Sequence, residues 1–261
     1  MKNDRLKSIL GIPYFLFLVI FVVCPVLILL YYAFTNGAGE FSLANFTLFF
    51  TDNKAIGTLI YSAMVAVVTT IVCLLIAYPV AYLLAKGEFR RGNVLLMLFV
   101  MPMWINFTLR ITALKEILTL IEGNLAFHPF LNTVIGMTYD FLPFMILPIY
   151  NTIAKIDHSY IEAAKDLGAK SYRVFLRVIL PLSIPGIISG ITMVFLPSMT
   201  NYVVLDMMYN STYIMGSLVG SYFSMYDWNN GSVISMILLI LILLLSTITG
   251  EFSDKEDNAY E

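Results

Sequence analysis

The chain has 261 residues, of which 59% are hydrophobic and only 12% charged, with a net charge of −2; its mean hydropathy is +0.85. Soluble domains hold about 45–50% apolar and about 25% charged residues, so this composition excludes an ordinary water-facing surface and points to a membrane protein. The near-neutral charge says nothing about partners. Cys24 and Cys73 both lie inside apolar runs, where they read as small packing residues rather than as a disulfide or metal ligands.

A membrane-crossing helix needs about 20 mostly apolar residues, and six stretches qualify. They are Ile9–Phe34, Gly57–Ala85, Asn93–Leu114, Leu131–Ile153, Leu182–Leu205 and Ser232–Ile248. Arg110, Lys115 and Asp140 sit at the margins of the third and fourth. Basic residues precede the first run, as in a secretory leader. That run, however, extends well beyond the roughly 7–15 residues of a leader's apolar core, and it reads as an uncleaved first helix. The expected organisation is one transmembrane domain over residues 1–250 and a polar tail over 251–261. Pro13, Pro25, Pro79, Pro102, Pro143, Pro148 and Pro197 fall within the spans. Each removes a backbone donor and kinks its helix, which suits either a bundle that moves around a cavity or ordinary packing.

The loops set an orientation. Lys2, Arg5 and Lys7 precede the first span; Lys86, Arg90 and Arg91 join the second to the third; Lys155, Lys165, Lys170, Arg173 and Arg177 join the fourth to the fifth; Lys255 follows the sixth. Twelve of the fifteen Lys and Arg residues therefore share one side, leaving Lys54, Arg110 and Lys115 on the other. The positive-inside rule puts the first group, with both termini, in the cytoplasm.

The longest polar stretch, Asp157 to Pro181, breaks into two short helices. Ser159 and Glu162 have the S-x-x-E spacing of a capping box. Tyr160, Ile161, Ala164 and Leu167 fall on one stripe, and Gly168 sits where a left-handed residue ends a helix. Ser171 can cap the second helix, whose apolar face is Val174, Phe175, Val178 and Ile179. Ala163, Ala164 and Gly168 strip the first helix of bulk, so another backbone can approach it closely. That favours a docking element, the alternative being a helix lying on lipid headgroups, which calls for larger apolar residues and a fuller basic face.

The run "EAAKDLGA" at Glu162–Ala169, followed by Phe175 and "LPLSIP" at Leu180–Pro185, resembles the EAA motif of ABC importer permeases. "GIPYFLFLVIFVVCPVLILLYYAF" near the N-terminus, "AYPVAYLLA" at Ala77–Ala85 and "MPMWINFTLRITALKEIL" at Met101–Leu118 are similar to the spermidine/putrescine importer permeases. The resemblance implies an all-α membrane protein of the type I importer fold, with six transmembrane helices and a short cytoplasmic coupling helix. It implies a bacterial cytoplasmic-membrane subunit that performs no chemistry. ATP and Mg are then bound by two copies of a separate ATPase subunit, a second homologous permease completes the channel, and an extracytoplasmic binding protein delivers substrate. Glu162, Ala163, Ala164, Gly168, Ala169 and Arg173 are the implied ATPase contacts. Permeases for thiamine, phosphonate or metal ions share much of this pattern, and a gradient-driven secondary transporter is a more distant alternative.

A polyamine path calls for carboxylates and aromatic faces. Seven carboxylates (Glu40, Asp52, Glu116, Glu122, Asp140, Asp206 and Asp227) face three basic residues on the outer side, a field that favours cations. Trp104 beside Pro102, Asp140 before Pro143, and Tyr202 with Asp206 in "NYVVLDMM" are the expected path residues. The alternatives are interfacial anchoring of the aromatics and pairing of the acids with Arg110 or Lys115. Asp227 and Trp228 read as an outer loop able to meet the binding protein. "GAKS" at Gly168–Ser171 is not a phosphate loop, because Ala169 stands where a glycine must be. His128 and His158 are single and show no metal spacing, nucleic-acid binding has no support, and the N-x-[ST] triplets at Asn45, Asn106 and Asn210 carry no meaning without a glycosylating host.

Overall fold

In an apolar solvent every backbone donor and acceptor has to be satisfied within the protein, and the helix does this locally. The computed structural model describes residues 13–87 and 92–257, almost entirely as helices; among them the one β feature is an isolated bridge between Thr35 and Phe41. Lys2, Arg5, Lys7, Arg90 and Arg91, which carry part of the orientation argument, lie outside the described residues, as does the side chain of Lys255. In chain order the helices are α1 Pro13–Ala33, α2 Ala44–Thr51, α3 Asn53–Lys86, α4 Gly92–Val100, α5 Phe107–Glu122, α6 Pro129–Lys155 and α7 His158–Asp166. They continue with α8 Ser171–Leu182, α9 Ile184–Ser198, α10 Tyr202–Met207, α11 Met215–Ser224 and α12 Trp228–Asp257. The chain divides into two compact units, Met1–Thr58 with Ser217–Leu241 and Leu59–Gly216 with Ile242–Glu261.

Three of these helices, α1, α3 and α6, are long and apolar enough to cross a membrane singly. The third expected span is instead a bent pair, in which Val94–Trp104 meets α5 at 99°; α8 meets α9 at 61°, where the second short helix was expected to give way to the fifth span. The continuous third span expected over Asn93–Leu114 is thus corrected. Pro102 sits in a tight 3-10 turn, Ile105 is extended, and Asn106 restarts the helix by accepting from the amides of Thr108 (3.0 Å) and Leu109 (3.4 Å). The fifth span starts where expected, just after Ser183, whose hydroxyl meets the Leu180 carbonyl at 2.8 Å and the Tyr78 hydroxyl at 2.9 Å. Its far end is corrected: the helix expected to reach Leu205 ends at Ser198, before α10 begins. The sixth apolar stretch, Trp228–Leu244, is shorter, and its helix runs on through residues 251–257.

The larger unit is organised on α6. Met137, Phe141, Met145, Ile149 and Ile153 repeat every four residues and are buried, the stripe expected of a helix packed along its length. α9 lies antiparallel against it through Gly186, Gly190 and Val194. A Cβ at Gly186 would stand 2.6 Å from Thr152 Oγ1 and 2.8 Å from the Pro148 carbonyl; at Gly190 it would stand 2.6 Å from Met145 Sδ. These spacings make the small-xxx-small contact by which membrane helices approach closely. α3 contributes its own small stripe, Ala66, Cys73, Ala77 and Ala81, all fully buried; Cys73 is free and packs as expected, its Sγ 3.8 Å from the Thr138 carbonyl. Residues 175–179 of α8 are π-helical, and Val174 and Ile179 at either end are both buried.

In the smaller unit Asn229 donates to the carbonyls of Tyr32 (3.0 Å) and Thr35 (2.6 Å). Asn45 also donates to the Thr35 carbonyl, at 2.8 Å. Tyr32 stacks on Trp228 at 6.1 Å. Asp227 closes the first turn of α12, accepting from the Asn230 amide at 3.2 Å. Asn45, Asn106 and Asn210, each heading an N-x-[ST] triplet, hold backbone or side-chain partners, Asn210 those of Tyr61 and Thr133 at 2.9 Å each.

Gly186→Val should lower the unfolding temperature of the purified protein, since overpacking against backbone costs about 1–3 kcal/mol. Gly57→Ala, where nothing lies within 4 Å, should leave it unchanged or raise it slightly. Equal melting curves for the two variants would contradict this packing.

Candidate functional site

The polar stretch forms a compact surface element. The cap of α7 is Asp157, whose carboxylate accepts from the Ser159 amide at 2.9 Å; the expected Ser159–Glu162 capping box is corrected accordingly. The Ser159 amide also holds the Asp157 carboxyl below the usual carboxylate range, which keeps the cap ionised. Glu162 is drawn instead to His158, 3.1 Å away and one turn back. Both groups are exposed, and such a pair is worth little, so Glu162 stays open to another partner.

The end of α7 follows the left-handed stop. Gly168 has φ 79°, its amide donates to the Lys165 carbonyl at 2.8 Å, and the Ala169 amide donates to the Ala164 carbonyl at 3.0 Å. This is a Schellman closure. Only part of the expected apolar stripe turns inward. Ile161 is buried and Ala164 packs beside it, whereas Tyr160 is exposed and Leu167 is 90% exposed. The Schellman turn puts Leu167 at its outer corner, away from the core. Glu162, Ala163 and Gly168 are exposed, and Ala169 is half-buried. α8 begins on a backbone cap at Lys170 rather than a side-chain cap from Ser171. Its expected apolar face holds: Val174 and Ile179 are buried, with Phe175 and Val178 packed against the same core. Phe175 sits edge-on to Tyr78 and Tyr82, which fastens α8 to α3. Between α7 and α8 lies an open hollow of about 310 Å³, lined by Ala164, Leu167, Gly168, Ala169 and the stems of Arg173 and Arg177 among others.

The four residues expected along a solute path are placed differently from one another. Trp104 stands at the α4–α5 break and is 86% exposed. Tyr202 and Asp206 are both exposed, one turn apart on α10. Asp140 is 5% exposed and is taken up inside the chain: Arg110 Nη2 donates to its Oδ1 at 2.7 Å, and Asn201 Nδ2 donates to its Oδ2 at 3.5 Å. One carboxylate therefore ties α5, α6 and the turn before α10 together. Nε and Nη1 of Arg110 are buried without an acceptor among the described residues. Sequence reasoning left Asn201 out altogether. The signal for it was present, a polar residue just past the Pro197 break, where backbone and side-chain groups need partners. Lys115 lies over the Tyr209 ring at 4.2 Å, rather than on Asp206.

The family described as "Binding-protein-dependent transport system inner membrane component" matches residues 5–253. The chain belongs to this family. The permease is 35% identical, over 93% of its own length and 92% of the other's, to the spermidine/putrescine transport system permease protein PotB of Haemophilus influenzae. It is 34% identical to the PotB protein of Escherichia coli over 78% and 80% of the two chains. Its fold matches that of a bacterial ABC transporter for import of the polysaccharide alginate, with a TM-score of 0.77 over 97% and 96% of the chains at 13% identity. The permease is thus a multi-pass membrane component of a transport system, with the all-α importer fold.

Asp140→Ala should destabilise the permease by about 3–5 kcal/mol by stranding a buried guanidinium, while the double variant Arg110→Met/Asp140→Leu should recover most of that loss. Thermal unfolding of the three proteins in lipid nanodiscs checks this. Additive losses would show that the two groups do not act as a pair.

Proposed function

We propose that this chain is the permease subunit of an ATP-driven polyamine importer, with α7 as the element that couples it to a separate ATPase. The observation that carries this reading is the geometry of α7. It is a capped helix that turns Ile161 inward and leaves Glu162, Ala163 and Gly168 bare, with Leu167 projecting beyond them. A helix lying on lipid would bury its large apolar residues in the headgroups and carry a fuller basic face. This one offers small residues for close approach and a single exposed leucine for a complementary cleft. The similarity to spermidine/putrescine permeases over most of their length supports the choice of solute.

In this reading two homologous permeases form the channel, two ATPase subunits bind ATP and Mg, and an extracytoplasmic binding protein presents the substrate. This chain holds no cofactor of its own. The charge count puts both termini and α7 in the cytoplasm. ATP-driven closure of the ATPase pair moves α7, and Phe175 between Tyr78 and Tyr82 passes the displacement to α3 as a rigid body. Glu162, Ala163, Ala164, Gly168, Ala169 and Arg173 are the contacts with the ATPase. Trp104, Tyr202 and Asp206 offer aromatic faces and a carboxylate to a passing polycation, and Asp140 holds α10 in place through Asn201.

Gly168→Asp should abolish co-purification of the ATPase subunit, whereas Gly168→Ala should weaken it less. Aspartate tolerates a left-handed backbone better than alanine does, so the opposite ranking would mean that backbone strain, not the contact surface, governs assembly. In vesicles holding the whole complex, ATP should drive uptake of labelled spermidine, competed by putrescine but not by thiamine or phosphonate. Asp206→Asn should reduce polyamine-stimulated ATP hydrolysis about tenfold, the scale of one lost charge-assisted hydrogen bond, with assembly intact. Uptake indifferent to ATP would overturn the importer reading, and competition by thiamine alone would overturn the solute.

A further inference from the structure

The smaller unit contains a cavity of about 210 Å³ between α2 and the α11–α12 pair. Leu48, Phe49, Ala55, Val233 and Ile234 supply its apolar wall, and Asn45, Asp52, Tyr222 and Asn230 supply its polar groups. None of these residues belongs to the coupling element or to the residues assigned to a solute path.

The hydrogen bonds around this cavity leave it with acceptors. Asn45 is 9% exposed, and its Nδ2 is committed to the Thr35 carbonyl at 2.8 Å; a flipped amide would set oxygen against oxygen there. Among the described residues the Asn45 Oδ1 has no donor, on a side chain that is otherwise buried. Asn230 repeats the pattern, its Nδ2 donating to Asp227 Oδ2 at 2.8 Å and its own oxygen without a donor among the described residues. Asp52 accepts from the Lys54 amide through Oδ1 at 2.9 Å, which leaves Oδ2. Among the described residues neither Asp52 nor Asp227 has a basic side chain in ion-pair contact. Burial, then Asp52, then Asp227 push the Tyr222 phenol up, so its hydroxyl stays neutral within the field of both carboxylates.

We propose that this cavity is a binding site for a primary alkylammonium group. The ammonium carries three donors and one positive charge, and would meet the Asp52 carboxylate, the two carboxamide oxygens and the Tyr222 hydroxyl. The methylenes behind it would lie on Leu48, Phe49, Val233 and Ile234. A hydrated inorganic cation would gain nothing from that apolar wall, and an anion would face unpaired carboxylates. The space is ample for one aminoalkyl end, since a cavity of about 150 Å³ already holds benzene. The same ammonium chemistry is offered by a free amine in solution and by an ethanolamine lipid headgroup. The site does not depend on which solute the complex imports.

The test uses the full-length permease in nanodiscs and an aminoalkyl diazirine photoprobe, with labelled peptides mapped by mass spectrometry. Labelling should fall on the peptides bearing Phe49 and Tyr222. Excess n-butylamine should compete and n-butanol should not. Asp52→Asn should lower labelling about tenfold, and Tyr222→Phe should lower it less; together they guard against a loss that reflects misfolding of one variant. Nanodiscs of phosphatidylcholine alone are compared with discs containing phosphatidylethanolamine. Protection by the ethanolamine lipid identifies a headgroup as the amine, and unchanged labelling with competition by n-butylamine identifies a soluble one. Competition by n-butanol equal to that by n-butylamine, or labelling indifferent to Asp52→Asn, overturns the proposal.

Discussion

A polypeptide in hydrocarbon has to find a partner for every backbone group that a break in a helix sets free. That constraint decides where this permease can bend. At the α4–α5 break the first free amides are taken by Asn106. At the α8–α9 break the Ser183 hydroxyl takes the Leu180 carbonyl and is itself held by Tyr78. After Ser198 the chain turns through Asn201, which reaches Asp140. A proline lies within four residues of the polar side chain that serves each of these interruptions. The prolines within α3 and α6 leave their helices continuous.

The α7 surface and the inner polar cluster are built with different chemistry. The element proposed to couple is made by subtraction. Alanine and glycine remove side chains from one face of a short helix, and the Schellman closure displays the following leucine. Its hold on the rest of the permease is apolar and aromatic, through Ile161, Val174 and Phe175, which suits a part that transmits displacement without switching state. The inner polar cluster is made by addition, with a guanidinium, a carboxylate and a carboxamide from three elements. Buried charge of this kind is expensive to form and expensive to break. It fixes the relation of α5, α6 and α10 more sharply than apolar packing does.

Much of this was legible in the sequence, because hydropathy and short polar motifs carry it. Gly168 at a left-handed stop, the inward face of Val174, Phe175, Val178 and Ile179, and the helical class all follow from local chemistry. What was not legible depends on contacts between distant segments. The reading of Ser159 as a cap failed because Asp157 offers a better acceptor two residues earlier. Leu167 looked apolar and therefore inward, yet the turn that Gly168 permits swings it out. A straight third span, and a fifth running unbroken to Leu205, were expected because hydropathy averages over a window and does not register a break at one polar residue. Whether Asp140 faced a solute or Arg110 was undecidable from a span of letters; only the fold brings residues thirty positions apart to 2.7 Å.

The π-helical stretch at residues 175–179 amounts to one extra residue slipped into a helix. Without it, Val174 and Ile179 would stand on different sides, because five residues overshoot a regular turn of about 3.6. A plain α-helix of the same length here would rotate the outer turn, and the two arginine heads near it, by about 100°. The π-turn therefore sets the angular phase between the outer turn and the helix that follows, and it absorbs the extra residue with that phase nearly intact.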